Sequence, residues 1–451
     1  MKSSPSHHHE PRLGRLKALA AGLGVAGLLA GCSVAATSPS PTSGLPPSPT
    51  PSVLTQPTAS PASNPTPSPL PSVGAVPSGQ WSGISWISSG PAFPQTPVAD
   101  PNAGLIASVS VFGWSRGYVG FRAVSNPNAI PATPVSIFST SSTDGLHWTA
   151  VRPLDTEGLP YLGQVITQTV EGPAGLLAVG WNNVGVCGGP PTVGGLWTSP
   201  DGLTWSRVQL PADFASASVY TVDAGSTGYV ATGTLKDGAT QAVWLSGDGR
   251  SWRRSSLPTA FGKVVVDGAT DFSAGYVVSG AVLGGEGCGG AALLTPSLWW
   301  SADGKSWTRS KLTGVVPASD ATMTVSRISD HALMAIDTGW DQTGQIASHV
   351  VWFTTDGRTW NLVKSPSSML ADGILTNGQR GLLVVTPTNN DGPPTIATVG
   401  NDLTVTTLSQ SGDGPVASAT SVGWTSALGP TGLVILSSDG SNLWLGVPTA
   451  S

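Results

Sequence analysis

Two short stretches decide the fold. They are Gly228-Tyr229-Val230-Ala231-Thr232 and, just beyond Trp244, Ser246-Gly247-Asp248-Gly249-Arg250-Ser251-Trp252. The first is a glycine opening a short, largely apolar run, the pattern of a strand covered on both faces. The second sets Asp-Gly between β-rich segments, a hairpin signal. There the carboxylate can accept turn amides, the glycine can take a positive φ, and the flanking Ser hydroxyl can tie the other side. The Trp then covers the hairpin with roughly 150–250 Å² of ring.

Both stretches recur. The glycine-led run returns at Gly117, Gly175, Gly275, Gly381 and Gly432, with Ala332 in the glycine's place once, which makes seven copies 47–58 residues apart. That period suits a four-stranded unit in a repeat array. The hairpin signature, Ser/Thr-x-Asp-Gly-x-x-Trp, occurs five times: Asp144 with Trp148, Asp201 with Trp205, Asp248 with Trp252, Asp303 with Trp307, and Asp356 with Trp360. In the last four, a further Trp sits eight residues earlier, at Trp197, Trp244, Trp299 and Trp352. The sixth unit, Thr395–Leu408, keeps Asp402 and lacks the Trp. The seventh ends early, with Leu443-Trp444-Leu445 as its third strand. The alternating segment Trp81-Ser82-Gly83-Ile84-Ser85-Trp86-Ile87 can supply the missing fourth strand from the other end and close the ring.

These signatures resemble the Asp-box, or BNR, repeat of sialidase-like β-propellers over nearly all of residues 79–451. The family box has Trp five residues after Asp, whereas here it follows by four, a turn one residue tighter. The resemblance implies an all-β, seven-bladed β-propeller, with six or eight blades also compatible with the repeat count. It also implies that the five Asp–Trp boxes are structural and lie away from the ligand face.

Upstream of the repeats the chain changes character. Lys2, Arg12, Arg15 and Lys17 precede an uncharged run from Ala18 to Gly31, which is too short to span a bilayer. The run ends in Leu29-Ala30-Gly31-Cys32, which resembles the lipobox of bacterial lipoproteins. That resemblance implies a signal peptide over 1–31, lipidation at Cys32, and an extracytoplasmic protein anchored to the bacterial cell membrane. Residues 37–78 carry 13 Pro among Ser, Thr and Ala with no charge. Such a stretch cannot bury a core and reads as a disordered, extended linker. The domain reading is therefore 1–31 signal peptide, 32–78 lipidated Cys and linker, and 79–451 propeller.

Charge bounds the partners. The 451 residues carry 20 Lys+Arg against 25 Asp+Glu, and only 10% are charged. Losing residues 1–31 removes four basic residues and one acid, so the balance moves from −5 to −8. No basic footprint for nucleic acid is present. No cofactor motif occurs, and His147, His331 and His349 are too scattered in sequence to predict a metal site.

Candidate site residues lie in loops on one face of the ring, the cysteines in those between second and third strands. Cys187 and Cys288 sit in Gly-rich insertions that should emerge on one face, where an extracytoplasmic address permits a disulfide, with two free thiols as the alternative. Trp181 and Trp340 end second strands on that face and could stack on sugars or anchor a protein. Asp155, Glu157, Glu286 and Asp341, with Asp320 and Asp372, are loop acids of the same face. A sialidase-like site would need clustered arginines and a Tyr nucleophile. Arg116, Arg122 and Arg327 fall near inner strands, and Tyr118, Tyr161, Tyr220, Tyr229 and Tyr276 are the only tyrosines. The reading is a non-catalytic module binding a protein or glycan of the cell envelope. Its rival is a glycoside hydrolase that uses paired carboxylates on the loop face.

Overall fold

The computed structural model describes residues 81–90, 106–125, 136–155, 165–181, 195–209, 211, 214, 217–225, 228–235, 240–255, 264–286, 292–314, 322–329, 331–340, 346–364, 366–372, 374–375, 382–385, 393–415, 424–437 and 440–449. The signal-peptide, Cys32 and linker readings lie outside them. Among the described residues no helix is long and apolar enough to cross a membrane. The described residues form seven sheets, antiparallel except where two of them take on a parallel edge strand.

Six sheets are built from consecutive strands, and each glycine-led run is the second strand of its sheet. In the third sheet the order is Ser218–Gly225, Gly228–Thr234, Gln241–Ser246 and Arg253–Ser255. Gly228–Thr234 is buried at every position. A strand covered on both faces loses the in–out alternation of a half-exposed sheet, which is why these runs read as continuously apolar.

The seventh sheet closes on the N-terminal strand. Gly83–Gly90 pairs antiparallel with Leu443–Thr449, which lies beside Gly432–Ser437 and then Trp424–Gly429. Ser409–Gly412 adds a fifth strand parallel to Gly83–Gly90. Ile84 and Trp86 are buried, and Trp86 Nε1 donates to Gln410 Oε1 at 2.9 Å.

The core is divided into seven clusters, each shared by two neighbouring sheets. One joins Val109, Val111 and Tyr118 of the first sheet to Ala427, Val434 and Leu445 of the last, so the ring of contacts has no open seam. This is a β-propeller. Trp197, Trp244, Trp299 and Trp352 are each at most 1% exposed. Burying such a ring removes about 200 Å² from water, roughly 5 kcal/mol of transfer free energy before entropy is counted.

The five Ser/Thr-x-Asp-Gly-x-x-Trp hairpins join third to fourth strands and share one hydrogen-bond pattern. Asp201 Oδ1 accepts Leu203 N at 2.8 Å, Thr204 N at 2.7 Å and Ser199 Oγ at 3.1 Å. Asp144, Asp248, Asp303 and Asp356 repeat this at 2.6–3.2 Å. The hairpin glycine of each blade packs against the preceding blade. Gly304, at φ +66°, has Leu245 where a Cβ would project. In the sixth blade Leu403 takes the glycine position at φ 64° and is buried, while Asp402 Oδ1 accepts Thr404 N at 3.0 Å.

The glycine that opens second strands has a different cause. Gly228 sits at φ +143°, and a Cβ there would collide with the backbone oxygen of Ser246, the residue that begins the hairpin. First-to-second turns and Asp hairpins are therefore packed together on one side of the ring, the turn face. Connections from second to third strands, among them residues 182–194 and 287–291, leave from the other side, the loop face.

Candidate functional site

The predicted ligand residues map to the loop face as far as the chain is described. Trp181 ends the second strand Gly175–Trp181, and Trp340 ends Ala332–Trp340. Glu286 ends Gly275–Glu286 and pairs with Ala292 across the hairpin. The side chains of these three lie outside the described residues, as does that of Asp372. Asp155, exposed after the outer strand of the first blade, lends its backbone oxygen to Trp197 Nε1 at 2.8 Å. Glu157, Asp320, Asp341, Cys187 and Cys288 fall outside the described residues.

Two acids that the loop reading passed over sit just beneath this face, on the seam between the fourth and fifth blades. Asp267 occupies a bulge in the inner strand Val264–Phe272, where the register shifts between Val266 and Gly268. A bulge turns a side chain out of the alternating pattern. Here it lets the Asp267 carboxylate accept the Met323 amide of the next blade. Asp337 is the cross-strand partner of Met323. It shares a face with Leu333 and Ala335, which pack against Phe272, Val277 and Leu298 of the fourth blade.

Burial governs both groups. It pushes the Asp267 carboxyl up to about 7, outweighing the Met323 hydrogen bond. It pushes Asp337 up to about 6. Asp337 is 1% exposed and neither carboxyl oxygen has a hydrogen-bond partner. A carboxyl held partly protonated near neutral pH is a competent proton donor. Closed to solvent, Asp337 touches no ligand in this arrangement. The sequence signal was an acid inside an apolar run, as in Val264-Val265-Val266-Asp267 and Met334-Ala335-Ile336-Asp337.

The arginines considered for a carboxylate-binding cluster do not converge. Arg327 is buried and pairs with Asp223 at 2.8 Å, reaching past the inner strand of the fourth blade to the third. It also donates to Ala224 O at 3.0 Å, and the Asp271 amide donates to Asp223 at 3.0 Å. Arg116 lies on the turn face, 4.4 Å over Trp114 and donating to Pro200 O at 2.6 Å. Arg122 lies within the second strand Gly117–Ser125.

Two tyrosines are committed to packing. Tyr118 OH donates to Gly432 O at 2.8 Å and Tyr229 OH to Gly175 O at 2.9 Å, each tying its blade to the one before. Burial pushes both phenols up to about 12, the reverse of what a nucleophilic phenolate requires. Among the described residues no three His, Cys, Asp or Glu side chains gather to hold a metal ion.

No protein-family model and no curated protein matches the chain. Solved structures do resemble it. A catalytically inactive virginiamycin B lyase from Staphylococcus aureus, solved with quinupristin, is 11% identical over 81% of this chain and 99% of its own, with a TM-score of 0.45. The Penicillium chrysogenum α-L-arabinanase complexed with arabinobiose is 14% identical over 73% and 97%, with a TM-score of 0.32. The intramolecular trans-sialidase from Ruminococcus gnavus is 12% identical over 75% and 94%, with a TM-score of 0.34. The likeness spans several activities and assigns none of them to this chain.

Proposed function

We propose that this protein is a lipid-anchored, extracytoplasmic binding module that presents the loop face of its propeller to a protein or glycan of the cell envelope. Cys32 carries the lipid and residues 37–78 form the tether. The observation that supports this reading is the asymmetry of the ring. One face is short turns whose Asp carboxylates are bonded to their own hairpin amides, and the other, by the number of residues between second and third strands, carries the longer connections.

The point of attachment agrees. Ser82 Oγ donates to Thr449 O at 2.8 Å, so the chain enters the ring beside the far end of the last strand, on the turn-face side. A tether attached there leaves the loop face free to point away from a membrane. At about 3.1 Å per residue, the linker could reach roughly 130 Å when extended.

Crosslinking in intact cells, followed by affinity capture and mass spectrometry, tests the reading. A reproducible protein or glycan lost on shortening residues 182–194 and 287–291 is the expected outcome. Capture that survives both deletions removes the loop face from the proposal. Cys32→Ala should release the chain from membranes, and its retention after a salt wash would remove the anchor. The rival is a glycoside hydrolase drawing on paired carboxyls of the loop face; Asp267, half-buried beneath that face, is the candidate acid for it, whereas Asp337 is closed to solvent. Glycoside turnover that Asp267→Asn abolishes without lowering the melting temperature would favour it.

A further inference from the structure

At one seam the outer edge of a blade crosses to its neighbour. The outer strand of the fourth blade, Thr308–Arg309, is followed at once by Lys311–Leu312. That segment leaves its own sheet and runs parallel to Thr359–Leu362 of the fifth blade, with Lys311 opposite Thr359 and Leu312 opposite Trp360. Five hydrogen bonds hold the crossing: Lys311 N to Arg358 O at 2.7 Å, Ser310 Oγ to Gly357 O at 2.7 Å, Thr313 N to Trp360 O at 2.9 Å, Leu362 N to Thr313 Oγ1 at 2.9 Å and Trp352 Nε1 to Thr313 O at 3.0 Å.

The crossing frames a cavity of about 360 Å³ on the outer rim, lined by Trp300, Thr308, Arg309, Ser310 and Arg358. That volume falls within the range of small-molecule sites. The Arg358 guanidinium lies 3.9 Å over the Trp300 ring, and Arg309 Nη2 donates to Ser297 Oγ at 2.7 Å. Among the described residues neither guanidinium has a carboxylate partner in an ion pair. Asp356, on the same hairpin as Arg358, has its Oδ1 taken by the Arg358 and Thr359 amides and the Thr354 hydroxyl. In a chain with only 20 basic residues, two arginines thus face one groove, neither in a direct ion pair among the described residues, and Asp356 acts on Arg358 only through its charge at longer range.

We propose that this rim groove binds the carboxylate-bearing unit of an acidic glycan. A guanidinium fork matches a planar carboxylate in two parallel hydrogen bonds, which Lys cannot reproduce. The Thr308 hydroxyl is placed for sugar hydroxyls, and the indole of Trp300 supplies an apolar wall. The indole of Trp300 and the Thr308 hydroxyl beside the guanidinium pair suit the ring and hydroxyls of a sugar acid better than a bare lipid phosphate. The site is separate from the loop face and does not depend on what that face binds.

The test is calorimetric titration of the full chain in detergent micelles with tetragalacturonate and with its fully methyl-esterified form, in which every carboxylate is capped as a neutral ester. The acid should bind at least about tenfold more tightly than the ester, and increasingly so as salt is lowered. The double variant Arg309→Gln/Arg358→Gln should lose the acid by about tenfold or more while keeping its melting temperature, since both side chains are exposed. Arg358→Lys should fall between the two. Equal affinity for acid and ester overturns the proposal. So does a double variant that still binds, or an absence of binding at millimolar sugar. Capture of the unlipidated Cys32→Ala chain by phosphatidylglycerol vesicles, lost in the Arg309→Gln/Arg358→Gln variant and without binding of the acid, overturns it in favour of a lipid site. The acid–ester comparison needs no variant, so a misfolded mutant cannot obscure the outcome.

Discussion

At the residue scale, one carboxylate organises each Asp hairpin. Asp201 is exposed, yet its Oδ1 gathers two amides and a hydroxyl within 3.1 Å. Burial acts against its charge, but the Thr204, Leu203 and Ser199 hydrogen bonds together hold its carboxyl below the usual range, and Asp248 is brought down to about 2 in the same way. Replacing Asp201 by Ala strands those amides at a solvated turn. The expected loss is about 1 kcal/mol, read as a lower melting temperature with unchanged circular dichroism. Asp337 carries the opposite sign. Its folded carboxyl is raised to about 6, so the native state holds a proton that the unfolded chain releases near 4. Its contribution to stability therefore falls as pH rises from about 4 to about 6 and stays low above that. The depressed hairpin acids lose their contribution in the other direction, as pH falls from about 4 toward 2. Asp337→Asn should raise the melting temperature at pH 8, leave it nearly unchanged at pH 4, and flatten the decline between them. A melting temperature that falls at pH 8 would show that the ionised carboxylate is stabilised there.

At the element scale, the fold was legible because each strand carries its own local signal. Gly117, Gly175, Gly228 and Gly275 mark strand starts because any Cβ there would strike the hairpin backbone, whereas the fifth blade carries Ala332 at that place. Asp402 kept the sixth turn recognisable without its Trp, but Leu403 at a positive φ gave no warning in the sequence, since its burial offsets the strain. The parallel fifth strands, Lys311–Leu312 and Ser409–Gly412, were not legible, because each is held by backbone pairing to a sheet other than its own. The closing strand was readable from its alternation, which places Ile84 and Trp86 inward. Deleting residues 79–88 removes both and bares the backbone edge of Leu443–Thr449. Losses of about 3–5 kcal/mol for the Trp and 2–5 for the Ile are expected from side-chain burial alone. The deleted chain should melt well below the parent and self-associate in light scattering. Trp86→Ala should show the first effect without the second, because the edge stays covered.

At the scale of the whole molecule, what the sequence concealed is contact between distant repeats. Asp223, Asp271 and Arg327 lie on three inner strands, and the ion pair joins residues 104 apart. No local pattern announces such a partner. Arg327 invited a ligand-binding reading because a charged side chain near an inner strand has few other uses apparent in one dimension. In the ring its use is architectural: it reaches past the fourth blade and fastens the fifth to the third. Removing one partner of a buried pair typically costs about 3–5 kcal/mol. Asp223 keeps a fifth of its side chain in solvent and retains the Ala224 and Asp271 amides, so the cost here should be nearer 2 kcal/mol. Arg327→Met should therefore lower the melting temperature, and the drop should be nearly the same at low and high salt because the pair is shielded from the ionic atmosphere. Unfolding should remain a single transition, since the seven shared cores still couple every blade to two neighbours. A second, earlier transition confined to the third, fourth and fifth blades would instead identify this pair as the element that makes the ring unfold as one body.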